Sequence, residues 1–295
     1  MDVIKSTEQD LFAFDKGTNT FYLGKTAYGT HVYSGEALQA FAVGAIANGG
    51  YVVSVMFDAV LRHYSQRYQV DPIALNAFFL RKSELGAVIV EIEDLKVNRK
   101  GYCISKAAIK QTKTVAKSRL QHLEDYHPED YVEKVVGLFT MGNMDQEKGL
   151  SSDHHANIPA RPDQRVLTPY EFDNLNDLVY IKVDPNFIPH PEKSTPMEMH
   201  QIIEFRDQRP IDFKSMPFWC DMLIPPPNNL GPKVLDGKLW CATMQMEVQF
   251  KQKCPAGLTK VAASFITNTL KNNRFDMDGW IWDCDGNLLA TTRYA

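Results

Sequence analysis

The sequence predicts an α+β protein made of two similar units, each an antiparallel sheet wrapped around one central helix. Three observations lead to this prediction. The first half has one clear amphipathic helix, closely spaced strand-like segments follow it, and a helical segment followed by strands recurs after a polar stretch. Strands this close together leave no room for the helical crossovers of a parallel sheet, so they should pair antiparallel and need a helix to cover their apolar face.

The helix of the first unit lies in "ANGGYVVSVMFDAVLRHYSQRY". Asn48 is placed to cap its first turn, and apolar side chains recur at helical spacing from Val52 to Val60. This apolar stripe must be buried against other parts of the chain. Asp58 and Arg62 are four residues apart, a spacing that predicts an ion pair on the surface of the helix.

The segments that follow this helix contain β-branched residues or alternate in polarity, as strands do. They are ALNAFFLRK, GAVIVEIEDLKVN, GYCISKAAIKQTK and VEKVVGLFTMG in the first half, and KLWCATMQMEVQFKQ, TKVAASFITNTLK, GWIWDCD and LLATTRYA in the second. In the second half the β run DLVYIKVDPNF precedes a short helical candidate, SMPFWCDMLI, which is halted by three prolines that begin at Pro225. We therefore predict an N-terminal domain over residues 1–145, a polar linker over 146–168 and a C-terminal domain over 169–295.

The composition excludes several classes of function. The chain has 295 residues, 44% of them hydrophobic, and a formal net charge of -4, so it has no excess of basic residues with which to bind nucleic acid. Its N-terminal stretch is too polar for a signal peptide, and no apolar run reaches the roughly 18 residues of a membrane helix. We expect a cytoplasmic protein that binds neither nucleic acid nor membrane. The five cysteines are scattered and form no CxxC pair, a pattern typical of reduced thiols.

Four stretches of the sequence resemble the acyl-CoA thioesterase II type of double hotdog protein, in order and across nearly the whole chain. They are NGGYVVSVMFDAV, FFLRKSELGAVIVEIEDLKVNRKGYCISKAAIKQ, RPIDFKSMPFWCDMLIPPP and WDCDGNLLATT. The resemblance implies a tandem double hotdog fold and a small-molecule acyl thioester as substrate. By analogy with hotdog proteins it also implies further association into a homo-oligomer, which the residues themselves leave open.

The same resemblance implies three catalytic positions. In that family an Asp in the second central helix, a Thr or Ser in a following strand and a Gln in the final strand hold a water that attacks the thioester carbonyl. These positions match Asp221, Thr243 and Tyr294, so the Gln is replaced by a tyrosine. A phenol offers one hydroxyl on a rigid ring where the amide offers one acceptor and two donor hydrogens. Tyr294 therefore donates to an oxyanion, orients a water or only fills the site, and the sequence does not decide between these.

The residues around Asp221 are consistent with a general base. Large apolar neighbours such as Phe218 and Trp219 should raise the pKa of its carboxyl toward neutrality. The alternative is a partly exposed aspartate at the edge of the helix, hydrogen-bonded to the backbone. Thr243 has an equally plain alternative, because threonine is a common strand residue.

Further residues are predicted to contact the substrate. Glycines at a helix start allow close approach, so Asn48, Gly49 and Gly50 are candidates for polarising the thioester carbonyl or contacting the acyl group, although they could equally serve tight packing. Aromatic side chains suit a flat apolar ligand, and the candidates, besides Tyr294, are Tyr51, Trp219 and Trp240.

Other chemistries find little support in the sequence. His154 and His155 lack a third ligand at useful spacing, and the chain has no phosphate-binding glycine loop, so we expect neither a metal nor another cofactor. Cys220 is expected to be a buried inert thiol rather than a nucleophile.

Three functional hypotheses follow. The first is an acyl-thioester hydrolase that uses a water activated by Asp221. The second, motivated by Tyr294, is a dehydratase, isomerase or cyclase of polyketide-type secondary metabolism, and the third is an acyl-binding protein without catalysis.

Overall fold

The computed structural model describes residues 11–113, 118–152, 158–171, 175–235 and 241–295. Within these ranges the chain forms three α-helices and two sheets, the larger of which has 13 strands. The helices are α1 (Ala13–Thr18), α2 (Gly49–Tyr64) and α3 (Met216–Asp221). None of them is both long and apolar enough to cross a membrane.

The strands divide into two sets around the helices. In chain order they are β1 (Phe21–Lys25), β2 (His31–Ala37), β3 (Ala42–Val43), β4 (Ile46–Ala47), β5 (Asp71–Phe79), β6 (Gly86–Lys96), β7 (Cys103–Thr112), β8 (Tyr131–Gly142), β9 (Thr168–Tyr170), β10 (Val179–Val183), β11 (Glu198–Phe205), β12 (Gln245–Phe250), β13 (Lys260–Lys271), β14 (Arg274–Trp282) and β15 (Leu288–Tyr294). The short pair β3 and β4 forms the second sheet.

The large sheet is antiparallel and repeats one strand order on each side of a central junction. Its order is β1-β2-β6-β7-β8-β5-β12-β15-β14-β13-β11-β10-β9. The junction is the antiparallel pair β5 and β12, in which Gln245 lies opposite Phe78. From the junction outward, each half begins with the strand that follows its helix and continues through the remaining strands in reverse chain order. This is the predicted tandem arrangement of two α+β units.

α2 is the central helix of the first half. Every residue from Gly50 to Val60 is buried, as expected for a helix that is surrounded by other elements. The predicted cap is present, because the Asn48 side chain accepts a hydrogen bond from the backbone N–H of Tyr51 at 2.8 Å.

The predicted surface ion pair on α2 is only partly correct. Arg62 Nε lies 2.7 Å from Asp58 Oδ2, but Asp58 is buried, with 5% of its surface exposed. The carboxylate also accepts hydrogen bonds from the backbone N–H and the hydroxyl of Thr20, and it lies 3.5 Å from Lys214 Nζ. Because Lys214 lies two residues before the start of α3, this buried aspartate links the two halves of the chain.

α3 is the central helix of the second half and is shorter than predicted. It ends at Asp221, before the prolines, because the chain beyond it is bound to β11 instead. The Gln201 side-chain amide donates to the Met222 carbonyl, and Met199 Sδ accepts a hydrogen bond from the Ile224 N–H at 3.1 Å.

The linker prediction over 146–168 falls partly on residues outside the described ranges. The division of the chain into domains stays a prediction.

Candidate active site

The end of α3 meets the start of α2 at a carboxylate. Asp221 Oδ2 accepts hydrogen bonds from the backbone N–H of Gly50 at 2.7 Å and from the side-chain amide of Asn48 at 3.1 Å. The N–H groups in the first turn of a helix lack intrahelical partners and favour negative charge, so α2 stabilises the carboxylate. Among the described residues, no hydrogen bond reaches the other oxygen, Oδ1, which is therefore free to accept one from a ligand or water.

Burial sets the acidity of this group. The carboxyl lies deep between the two helices, and burial raises the pKa of Asp221 to about 6 although the bonds from Gly50 and Asn48 act in the opposite direction. The residue as a whole keeps partial exposure. A carboxylate with this pKa is ionised at neutral pH and is still basic enough to take a proton.

The glycines of α2 allow the two helices to come this close. A Cβ on Gly50 would lie 2.4 Å from the Pro217 carbonyl oxygen and 2.6 Å from Asp221 Cβ. One on Gly49 would lie 3.1 Å from Asp221 Oδ2 and 3.3 Å from the Phe79 ring. The element that closely approaches these two glycines is therefore α3, and the Gly50 N–H donates its hydrogen bond to Asp221. Contact of these residues with a substrate stays a prediction.

Thr243 lies outside the strand in which the sequence placed it. β12 begins at Gln245, and Met244 just before it still bonds through its backbone to Phe79 and Ala295 beside the ends of the neighbouring strands. Thr243 is partly buried, and no hydrogen bond connects it to Asp221 among the residues described. Its predicted role in orienting the water is not tested by this arrangement.

Tyr294 lies in the last strand and close to the carboxylate. Its side chain is 5% exposed, and burial together with the nearby Asp221 and Cys220 raises the pKa of its phenol well above the usual value. The hydroxyl is buried beside the Thr292 hydroxyl and forms no hydrogen bond of good geometry with any described residue, while Thr292 donates its own hydrogen to the Glu247 carbonyl at 2.6 Å. Tyr294 is therefore a protonated phenol whose hydrogen is not engaged in a well-formed hydrogen bond among the described residues.

Thr292 is a residue of this site that sequence reasoning missed. It is two positions before Tyr294 in β15 and so points to the same face of the sheet, toward the Cys220 thiol. The alternation of the strand could have revealed it once Tyr294 was singled out. Burial raises the pKa of Cys220 far above its usual range, which makes the thiol a poor nucleophile.

Two of the predicted aromatic residues, Tyr51 and Trp219, occupy the core. Tyr51 is fully buried, and its hydroxyl accepts from the Leu38 N–H at 3.0 Å and donates to the Gly17 carbonyl. These bonds hold Tyr51 in the core, and its contact with a substrate stays a prediction. Trp219 is likewise fully buried, with its ring centroid 4.3 Å from that of Phe205. Trp240 lies outside the described residues.

A separate cluster of described residues, away from Asp221, consists of side chains that can bind metals. One ligand atom from each of His31, His63 and Asp94 lies within 4.8 Å of the other two. His63 is near the C-terminal end of α2, whereas Asp221 lies at its N-terminal end. Arg67 donates to both oxygens of Asp94, at 3.1 and 2.8 Å, and its hydrogen bonds help to lower the pKa of that carboxyl despite burial. The cluster is thus an ion-paired network. His154 and His155 lie outside the described residues.

Comparison with known proteins identifies the family. The family model of the acyl-CoA thioesterase C-terminal domain matches residues 152–294, and that of the N-terminal domain matches residues 38–117. The chain belongs to the acyl-CoA thioesterase family. The thioesterase-like protein TwmA from Talaromyces wortmannii is 34% identical over 70 residues, a match that spans 24% of this chain and 20% of that protein.

Solved structures share the fold of this acyl-CoA thioesterase family member. A hotdog protein of unknown function from Alicyclobacillus acidocaldarius superposes with a TM-score of 0.74 at 16% identity, over 96% of this chain and 97% of that one. A putative thioesterase II from Thermobifida fusca gives a TM-score of 0.72 at 17% identity, over 97% of each chain. The fold is therefore a double hotdog. At these identities the superpositions show the fold alone.

Proposed function

We propose that the chain hydrolyses an acyl thioester, carried by coenzyme A or by a carrier protein, with Asp221 as the general base. The observation that carries the proposal is the carboxylate held at Oδ2 by Gly50 and Asn48, with no described residue bonded to Oδ1 and the pKa raised to about 6. Such a group is ionised at neutral pH and can still accept a proton from water in the transition state.

The proposed reaction is a simple addition and elimination. Asp221 takes a proton from a water while the oxygen of that water bonds to the thioester carbonyl carbon. The carbon–sulfur bond then breaks, and the thiolate leaves with the proton from Asp221, so that a carboxylic acid and a thiol are released. Tyr294, whose phenol stays protonated, supplies a hydrogen bond to the oxyanion of the intermediate. Thr243 is proposed to orient the water, as the family resemblance implies.

A panel of acyl-CoA substrates tests this proposal. The wild type should release free thiol, and Asp221→Asn should lower kcat by about 10²–10⁴-fold, the range expected for loss of a general base. Asp125→Asn makes the same chemical change at an exposed position and should leave kcat unchanged. Absence of turnover on every thioester, or full activity of Asp221→Asn, would contradict the proposal.

The phenol of Tyr294 favours a second candidate function. Tyr294 stands where the family resemblance places a water-holding glutamine, and its buried hydroxyl forms no hydrogen bond of good geometry with a described residue. A carboxylate base beside a phenolic acid can also move protons without water, as in a dehydratase, isomerase or cyclase of polyketide-type secondary metabolism.

Two variants of Tyr294 separate the two functions. If the natural protein is a hydrolase, both Tyr294→Gln and Tyr294→Phe should lower thioester hydrolysis, because each removes the phenolic donor. If Tyr294→Gln instead creates hydrolysis or raises it tenfold or more, the natural reaction is not primarily hydrolytic.

A further inference from the structure

The segment that follows β5, residues 80–83, forms a rim on the Asp221 site and is named here the rim segment. It starts next to Phe79, whose ring lies against the position of a Cβ on Gly49. It ends at Ser83, whose carbonyl accepts a hydrogen bond from the Ala47 N–H at 3.3 Å, one residue before Asn48. Both ends of the rim segment are therefore tied to the residues that surround the carboxylate.

The backbone of the rim segment is fixed to the sheet. The N–H groups of Leu80 and Arg81 both donate to the Lys134 carbonyl in β8, at 2.8 and 3.1 Å. The two cations of the segment, Arg81 and Lys82, are both exposed. Two adjacent basic side chains thus extend from a positioned backbone at the edge of the site.

The charge of these side chains is poorly compensated. Arg81 Nη1 donates to the Glu133 backbone carbonyl at 3.0 Å, a neutral partner that occupies one of five guanidinium hydrogens. Lys82 Nζ lies 3.8 Å from Glu84 Oε1, and the two side chains are 70% and 60% exposed. Ion pairs this exposed are weak and screened by solvent, so Lys82 remains available to another anion.

We propose that Arg81 and Lys82 bind the phosphate of a pantetheine-type thioester carrier and so place the thioester at Asp221. The substrate class rests on the proposed function. Coenzyme A and carrier-bound pantetheine both bear phosphate, and the guanidinium fork matches phosphate oxygens. A cation at the rim offsets the repulsion between the ionised carboxylate and an anionic substrate. Arg81 is two residues beyond Phe79, a distance of about 7 Å in an extended chain. A phosphate bound to Arg81 is therefore held away from the Phe79 ring, which lies near the carboxylate.

A double variant, Arg81→Ala with Lys82→Ala, tests the proposal on three substrates with the same acyl group. Acyl-CoA carries several phosphates, acyl-4′-phosphopantetheine carries one and acyl-pantetheine carries none. The variant should raise KM for acyl-CoA about tenfold or more with little change in kcat, and should leave KM for acyl-pantetheine unchanged. If KM for acyl-4′-phosphopantetheine rises as much as KM for acyl-CoA, the contact is with the 4′-phosphate. If it rises less, the contact is with the nucleotide phosphates. Both results support the proposal.

A matched control comes from a second Arg-Lys pair. Arg99→Ala with Lys100→Ala removes the same two charges from the exposed turn between β6 and β7 and should change none of these values. If the rim variant behaves like this control, or raises KM equally for acyl-pantetheine, the proposal is overturned.

Calorimetric binding of coenzyme A separates failure of this proposal from failure of the proposed function. The wild type should bind coenzyme A about tenfold more tightly than the rim variant, whether or not the thioester is hydrolysed. Equal binding by wild type and rim variant, or no binding by the wild type, would overturn phosphate recognition while leaving hydrolysis to be judged by turnover alone.

Discussion

Asp221 is kept in a state that costs the folded protein stability. Its pKa rises from 3.8 to about 6, so the folded chain binds the proton more tightly than the unfolded chain does. A raised acid pKa means that stability is lost as pH increases from about 4 to about 6, and a shift of two units corresponds to about 3 kcal/mol. The ionised carboxylate is therefore retained at the expense of stability, as expected of a functional group.

Asp221→Asn should be more stable than the wild type at pH 8. The amide keeps an acceptor for Gly50 without a buried charge, so we expect the free energy of unfolding to rise by about 1–3 kcal/mol at pH 8 and the difference to vanish near pH 4. Urea unfolding at both pH values measures this. If Asp221→Asn were less stable than the wild type at pH 8, the surroundings would stabilise the negative charge of Asp221, contrary to this expectation.

Cys220→Ala should retain activity. Burial raises the pKa of this thiol far above its usual range, so it does not supply a thiolate nucleophile beside Asp221. We expect kcat/KM to stay within about twofold of the wild type, since only about one polar contact and a small volume are lost. Loss of activity in a folded Cys220→Ala, with Cys284→Ala unaffected, would indicate covalent catalysis.

At the residue scale, the sequence predicted the features that depend on neighbours along the chain. Apolar neighbours around Asp221 predicted a raised pKa, and the burial of its carboxyl between α2 and α3 acts in that direction. The partners of its carboxylate, Asn48 and Gly50, lie more than 170 positions away in sequence, and no local pattern connects them to it. The buried state of Asp58 was missed for the same reason, because Lys214 is distant in sequence.

At the scale of elements, the packing of α2 against α3 positions the site. The Pro217 carbonyl and Asp221 Cβ leave no room for a side chain on Gly50. The helix pattern predicted α2 well, because its apolar stripe is long, whereas α3 is only six residues long and its end is set by contacts with β11.

Gly50→Ala should destabilise the protein and reduce activity. Alanine favours a helix over glycine by about 1 kcal/mol, but the new Cβ meets backbone atoms that cannot rotate away, so we expect a net loss of about 1–3 kcal/mol. Thermal unfolding and turnover measure the two effects. Gly49→Ala is the matched comparison, because its Cβ meets only side-chain atoms at 3.1–3.4 Å. A Gly50 variant as stable as that one would contradict the packing described here.

At the scale of the whole molecule, the continuous sheet and several ion pairs among the described residues join the halves. β5 and β12 pair along five residues, and Asp58 of α2 lies beside Lys214 of the second half. Arg209, 4% exposed, adds bonds to Asp15 of α1 and to Asp212. The repeat of one unit was predictable from the order of elements, but the continuity of the sheet was not, because strand pairing between halves has no local signature.

The two halves should therefore unfold together. All four tryptophans lie between residues 219 and 282, so tryptophan fluorescence reports on the second half while circular dichroism reports on both. We expect the two urea transitions to coincide, as a cooperative unit requires. Transitions separated by a clear plateau would show that the halves are independent.

The central claim is that an ionised Asp221 activates water for attack on a thioester. The most direct measurement is the pH dependence of kcat/KM for acyl-CoA hydrolysis between pH 4.5 and 8, in the wild type and in Asp221→Asn. Because the base must be ionised, kcat/KM of the wild type should fall tenfold per pH unit below about 6 and level off above it. The residual rate of Asp221→Asn should lack this limb. A wild-type profile without an inflection near pH 6, or the same inflection in Asp221→Asn, would contradict the account.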